Sequence, residues 1–221
     1  MSESAAGWIE RTLGHRPRDL DLFQRALTHS SRGDEHYERL EFLGDRVLGL
    51  AIAAWLYELF PHEPEGKLSR RLNALVAGET CAEVARELGV PTQLRLGKQA
   101  RDDGACDSDN VLGDVVESLL GALFLEGGLD PAVAFIRRAW GERVTTQERA
   151  PKHPKSALQE WAAANERKPP VYSLADRSGP QHAPTFVVQV EIPGAGTARA
   201  EGLSKQEAET EAAKALLEKL T

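Results

Sequence analysis

Two short acidic runs are spaced so that each could present its carboxylates on one side of a helix. The first is Glu38-Arg39-Leu40-Glu41-Phe42-Leu43-Gly44-Asp45. A helical residue turns about 100°, which makes Glu41 and Asp45 neighbours and brings Glu38 to within about 20° of Asp45, two turns away. The second is Asp114-Val115-Val116-Glu117, with its carboxylates three residues apart. Like charges at i,i+4 cost a helix roughly 0.2–0.5 kcal/mol. Gly44 in a helix interior costs about 1 kcal/mol more relative to alanine. The second pair lies in a stretch, Val111 to Leu125, that is apolar nearly all round, the pattern of a buried helix. A carboxylate there needs a cation or a hydrogen-bonded partner. Oxygen ligands without His or Cys suit magnesium or manganese rather than zinc. Such a site activates water and neutralises charge developing on a phosphodiester. The same residues on solvated helix faces would do no chemistry, and periodicity alone leaves both readings open.

The elements that must carry these runs read as helical up to about residue 150. Leu48 to Phe60, Thr80 to Leu88 and Val111 to Leu125 repeat apolar residues at helical spacing. Breaks fall at Pro61-His62-Glu63-Pro64, Gly89-Val90-Pro91 and Gly127-Gly128, and Lys98 to Asn110 reads as a polar loop. After a polar, proline-bearing stretch the pattern changes. Ser156 to Ala164 reads as a helix with Ser156 as N-cap and Gln159 at the capping-box position. Val171 to Leu174, Thr185 to Val190 and Gly196 to Glu201 read as strands, and Ser204 caps a last helix from Lys205 to Leu220. The fold class expected is an all-α domain followed by a small α+β domain of order α-β-β-β-α. The boundaries read are residues 1–146 for the first, 147–153 for a linker and 154–221 for the second.

Bulk properties narrow the function. The net charge of −7 argues against a simple basic nucleic-acid binder. Residues 1–150 carry 18 Lys+Arg against 25 Asp+Glu, whereas residues 151–221 carry 9 of each. The acidity therefore sits with the carboxylate runs. Cys81 and Cys106 lack metal or disulfide spacing. No apolar run approaches the ~18 residues of a membrane span. Met1-Ser2-Glu3-Ser4 has neither a basic nor an apolar leader character, so a cytoplasmic location with no membrane partner is expected.

The residues are more specific than their periodicity. Thr28-His29-Ser30-Ser31 followed by Glu38 to Asp45, then Glu65-Gly66-Lys67-Leu68-Ser69, then Leu112 to Ala122, closely resembles the signature of the ribonuclease III family. The C-terminal region resembles a double-stranded RNA-binding domain at His153-Pro154-Lys155, Leu158-Gln159-Glu160, Gly179-Pro180, His182, Ala200-Glu201-Gly202 and Ser204-Lys205.

The resemblance implies an all-helical endonuclease domain working as a homodimer on double-stranded RNA. Its products would carry 5′-phosphates and short 3′ overhangs, and its substrates would be precursors of ribosomal and messenger RNA. It implies Asp45 and Glu117 as catalytic residues and Glu41, Asp114 and Glu117 as ligands of Mg2+, for which Mn2+ can substitute. Glu38 and Glu65 would be accessory, and Phe42 would plug into a socket on the partner subunit, although an ordinary core phenylalanine fits the sequence equally well. Lys155, Gln159, His182, Ser204 and Lys205 would contact RNA, largely by reading duplex shape.

Some residues depart from the family pattern. Gln206 and Glu207 follow Lys205 where a second lysine is usual, Tyr37 stands for a usual Asn, and Arg46 for a usual Ser. With no net charge, the RNA-binding region is expected to hold duplexes weakly. Two rival readings stay open: a catalytically silent duplex-RNA binder, and a helical metal hydrolase acting on nucleotides.

Overall fold

The computed structural model describes residues 4–146, 154–178 and 184–220. The chain divides into two compact units, residues 1–151 and 152–221.

The first unit is helical: α1 Ala5–Leu13, α2 Leu20–Ala26, α3 Glu38–Leu59, α4 Glu65–Leu75, α5 Gly78–Glu87, α6 Lys98–Asp102, α7 Asp109–Gly127 and α8 Leu129–Thr145. Its core is built around α7, whose Leu112, Val115, Val116, Leu119, Leu120, Ala122 and Leu123 are all fully buried. Burying each large side chain stabilises the fold by about 1.5–3 kcal/mol. Ser118 is buried among them and stays satisfied, because its hydroxyl donates to the carbonyls of Ala26 and Val115 at 2.6 and 2.8 Å.

Packing fixes the path of α3 across α7. A Cβ at Gly44 would lie 1.6 Å from the Glu117 carbonyl oxygen, and one at Gly121 would lie 2.2 Å from the Leu40 carbonyl oxygen. The two backbones touch where a side chain on either would keep them apart. The helix-breaking residue inside the first acidic run thus has a packing cause. Beyond this crossing, Pro61 to Pro64 end α3, and the turn is pinned by Arg71. That guanidinium is buried, donates to both oxygens of Glu63 at 2.8 and 2.9 Å, and lies 3.8 Å from the Phe60 ring centroid.

The segment read as a polar loop, Lys98 to Asn110, is partly helical. It contains α6, a short 3-10 turn at Ala105–Asp107 and the start of α7. Its polar composition reflects exposure, not absence of structure: Gln99 donates to Asp103, and Arg86 donates to Asp107 and Asp109.

The second unit is α9 Pro154–Ala164, β1 Val171–Ser178, β2 Thr185–Ile192, β3 Gly196–Gly202 and α10 Lys205–Leu220. The strands form an antiparallel sheet in the order β1-β2-β3, with Val188 paired to Ala200 and Val190 to Ala198. Alternation along β2 buries Val188, Val190 and Ile192 in one core with Leu158 and Ala162 of α9 and Ala208, Ala212, Ala213 and Leu216 of α10. Ser156 does not cap α9, since it lies within that helix, described from Pro154 on. A capping box forms at α10 instead. The Ser204 hydroxyl accepts from the Glu207 N–H at 3.1 Å, and the Glu207 carboxylate accepts from the Leu203 and Ser204 N–H groups at 2.8 and 3.3 Å. The residues read as the linker, 147–153, lie outside the described residues.

Candidate functional site

The glycine-mediated crossing sets α3 against α7 and thereby brings the two acidic runs together. Glu41, Asp45, Asp114 and Glu117 are all half-buried. The charges of Glu41, Asp114 and Glu117 act on one another, whereas Asp45 is paired with Arg46. Burial, then Glu41 and Asp114, push Glu117 up to about 7. Burial, then Asp114, raises Glu41. Burial raises Asp114 too, opposed by a hydrogen bond from Tyr37. Glu38, exposed at the start of α3, adds its own negative charge to Glu41 and Asp114.

Partial compensation comes from Arg46. It pairs with the Asp45 carboxylate and lowers Glu41 and Glu117, while its guanidinium lies 5.0 Å from the Phe42 ring centroid. Asp114 accepts from the Tyr37 hydroxyl at 3.2 Å. The Cys81 thiol, buried and pushed up to about 12 by that burial and by Glu117, stands 4.0 Å from a Glu117 oxygen. Both cysteines are free thiols.

A cluster of carboxylates this resistant to ionisation is what a divalent cation relieves. The donor set is all oxygen, matching magnesium or manganese. As placed, no three His, Cys, Asp or Glu side chains among the described residues converge to metal-ligand geometry.

Not every residue named from the sequence joins this cluster. Glu65 begins α4, is exposed, and accepts from its own helix's Ser69 hydroxyl at 2.6 Å. It is not among the charges that perturb Glu41, Asp114 or Glu117. Phe42 is 63% exposed, so the core reading of that residue is excluded. It lines a depression of about 720 Å³ whose walls mix Leu22, Leu40, Leu43 and Leu125 with charged residues such as Arg25, Glu35 and Arg39.

Sequence reasoning took Tyr37 and Arg46 only as departures from a pattern, and it missed Cys81 as a neighbour of Glu117. The position of Tyr37 immediately before the first acidic run was the available signal. Nothing in the sequence links Cys81 to Glu117, which is 36 residues away.

In the second unit, Lys155, Gln159 and Lys205 line one depression of about 620 Å³ with Ser156, Gln206 and Glu209. Glu209 holds the lysines: its carboxylate is 2.6 Å from the Lys155 ammonium and 3.9 Å from that of Lys205. Lys155 also lies over the Tyr172 ring at 4.8 Å. Any phosphate entering here competes with Glu209. Ser204 is committed to its capping box, and His182 lies outside the described residues. No helix among the described residues is long and apolar enough to cross a membrane.

Residues 19–143 match the family described as Ribonuclease-III-like, and residues 154–220 match the Double-stranded RNA binding motif. The chain is 64% identical over 217 residues to ribonuclease 3 of Zymomonas mobilis subsp. mobilis, covering 98% of this chain and 88% of that one. It is 46% identical over 222 residues to ribonuclease 3 of Caulobacter vibrioides, covering 98% and 96%. The solved nuclease domain of ribonuclease III from Campylobacter jejuni superposes with a TM-score of 0.60 at 32% identity, covering 62% of this chain and 95% of that one. With both units matched and relatives aligned along nearly the whole chain, this protein belongs to the ribonuclease III family of endoribonucleases.

Proposed function

We infer that the chain cleaves double-stranded RNA with magnesium held at the α3–α7 crossing, manganese being able to substitute. The observation that carries this reading is the mutual destabilisation of Glu41, Asp114 and Glu117 in one half-buried cluster. These three carboxylates hold the cation. When bound, magnesium supplies Lewis-acid neutralisation of the phosphate and lowers the pKa of water. Asp45, on the same face of α3 one turn beyond Glu41, orients the attacking water by accepting its hydrogen bond. Water oxygen bonds to phosphorus in line as the P–O3′ bond breaks; the water's proton passes to solvent and the departing 3′-oxygen takes one up, giving a 3′-hydroxyl and a 5′-phosphate. Burial of the cluster keeps bulk water from screening these charges. The reading extends to processing of ribosomal and messenger RNA precursors in the cytoplasm.

The C-terminal unit supplies duplex affinity through Gln159, Lys155 and Lys205, and by family pattern through His182. Its neutral charge and the Glu209 competition make that affinity modest. The test uses one long perfect RNA duplex with the full chain. Binding is titrated in chelator across salt, and cleavage is followed with and without magnesium. Expected are weak, strongly salt-dependent binding and magnesium-dependent cutting to 5′-phosphate ends with short 3′ overhangs. Binding without cutting in magnesium would turn the reading to a silent duplex binder.

The chain works as a homodimer, so that one site faces each strand. The exposed Phe42, at a depression lined by leucines and by charged residues, supports a self-complementary contact in which each Phe42 enters the other copy. The Campylobacter jejuni nuclease domain, for its part, has structural flexibility in a region involved in dimer formation. Phe42→Asp places a charge in the contact and is expected to give monomers in sedimentation equilibrium, with wild type dimeric. Equal masses for the two proteins would rule out this contact.

A further inference from the structure

Tyr37 is fixed on every side. Its N–H donates to the Thr28 carbonyl at 3.0 Å, and its own carbonyl accepts from Leu40 and Glu41 at 2.8 and 2.9 Å, opening α3. Its ring is buried, 4% exposed, and stands edge-on to the His29 ring at 5.8 Å. Its hydroxyl donates to Asp114 Oδ2 at 3.2 Å. The donor belongs to the start of α3 and the acceptor to α7, so this bond bridges the two helices that bear the carboxylates.

A carboxylate flanked by other carboxylates swings away from them unless something holds it. Asp114 is half-buried, and the other charges of the cluster repel it. The Tyr37 hydroxyl occupies one of its oxygens and leaves the second free of that bond. We propose that Tyr37 is a positioning residue for the cation site, holding the Asp114 carboxylate so that its remaining oxygen is presented to the metal. This rests on the reading of Asp114 as a metal ligand. Outer partners of metal ligands act by restricting rotamer and orientation, and their loss typically weakens metal binding by about 10–100-fold.

Tyr37→Phe removes the hydroxyl and keeps the ring against His29. The probe is Mn2+ alone, its free fraction read by electron paramagnetic resonance on the full chain without RNA. The variant is expected to bind Mn2+ about 10–100-fold more weakly than wild type. In cleavage assays its magnesium requirement should rise by a similar factor, with most of the maximal rate recovered at saturating magnesium and duplex binding in chelator unchanged. A purely structural tyrosine would lower the melting temperature without moving either metal titration. Unchanged Mn2+ affinity in a folded Tyr37→Phe protein overturns the proposal. Asp114→Asn, run in parallel, separates the two levels. If it too leaves Mn2+ binding untouched, the assignment of Asp114 as a ligand fails, and the role of Tyr37 fails with it.

Discussion

Glu117→Gln is expected to cut duplex RNA on the order of a thousandfold more slowly than wild type while binding it equally well. The substitution keeps the shape and removes the charge from the residue most strongly perturbed in the cluster. It should also change stability in a way that depends on pH. Burial, Glu41 and Asp114 raise Glu117 from 4.5 to about 7 in the folded chain. A carboxyl raised in this sense binds more protons folded than unfolded. Its contribution to stability is present below 4.5 and is lost as pH rises through about 7. In chelator, wild type should therefore lose stability between those values relative to Glu117→Gln, which has nothing to ionise. The variant should melt above wild type near pH 8, and the two should converge near pH 5. Magnesium should raise the wild-type melting temperature and leave the variant's nearly unchanged. Normal cleavage by Glu117→Gln would remove α7 from the active site. Coincident melting curves across pH would mean the cluster carries no such repulsion.

Gly44→Ala should damage both the fold and the chemistry. Its Cβ would meet the Glu117 carbonyl oxygen at 1.6 Å and the Gly121 N at 2.9 Å. Both are backbone atoms of a helix, so no side chain can step aside and α3 must lift from α7. Alanine gains about 1 kcal/mol in helix propensity, and overpacking of this kind costs about 3 kcal/mol or more. The net loss, at least about 2 kcal/mol, corresponds to a fall of roughly 4–8 °C or more in melting temperature. Cleavage should fall with it, because Glu41 and Asp45 move away from Asp114 and Glu117. Gly141→Ala is the control: it lies inside α8, where an added Cβ would meet nothing within 4 Å, and should hold or gain stability. If Gly44→Ala melted like wild type, the close crossing of α3 and α7 would be wrong.

Much of this protein was legible in its residues. The apolar circumference of Val111 to Leu125 predicts a buried helix, and α7 is one, because a helix without a polar face has nowhere else to go. The β-branched and aromatic residues of Thr185 to Val190 predict β2, and the Ser204 cap marks where α10 begins. The two acidic runs and their spacing are sequence facts too. Local pattern fails where exposure and composition resemble those of a loop, as at α6, and where a cap signal falls inside a helix, as at Ser156.

Tertiary structure decided the rest. Gly44 reads in sequence as a local defect; only the crossing shows it as the condition for two backbones to touch. Glu207 reads as a missing lysine, yet its carboxylate closes the cap of α10. Glu209 attracts no notice in the sequence until it lies between Lys155 and Lys205. Tyr37 meets Asp114 across 77 positions of chain. The sequence by itself determined most of the helices and strands, α6 excepted, and which residue types could hold a cation, because those depend largely on neighbours within a few residues. Which side chains share a charge field, a hydrogen bond or a surface depended on how helices far apart in sequence pack, and that packing acts through distances no local pattern encodes.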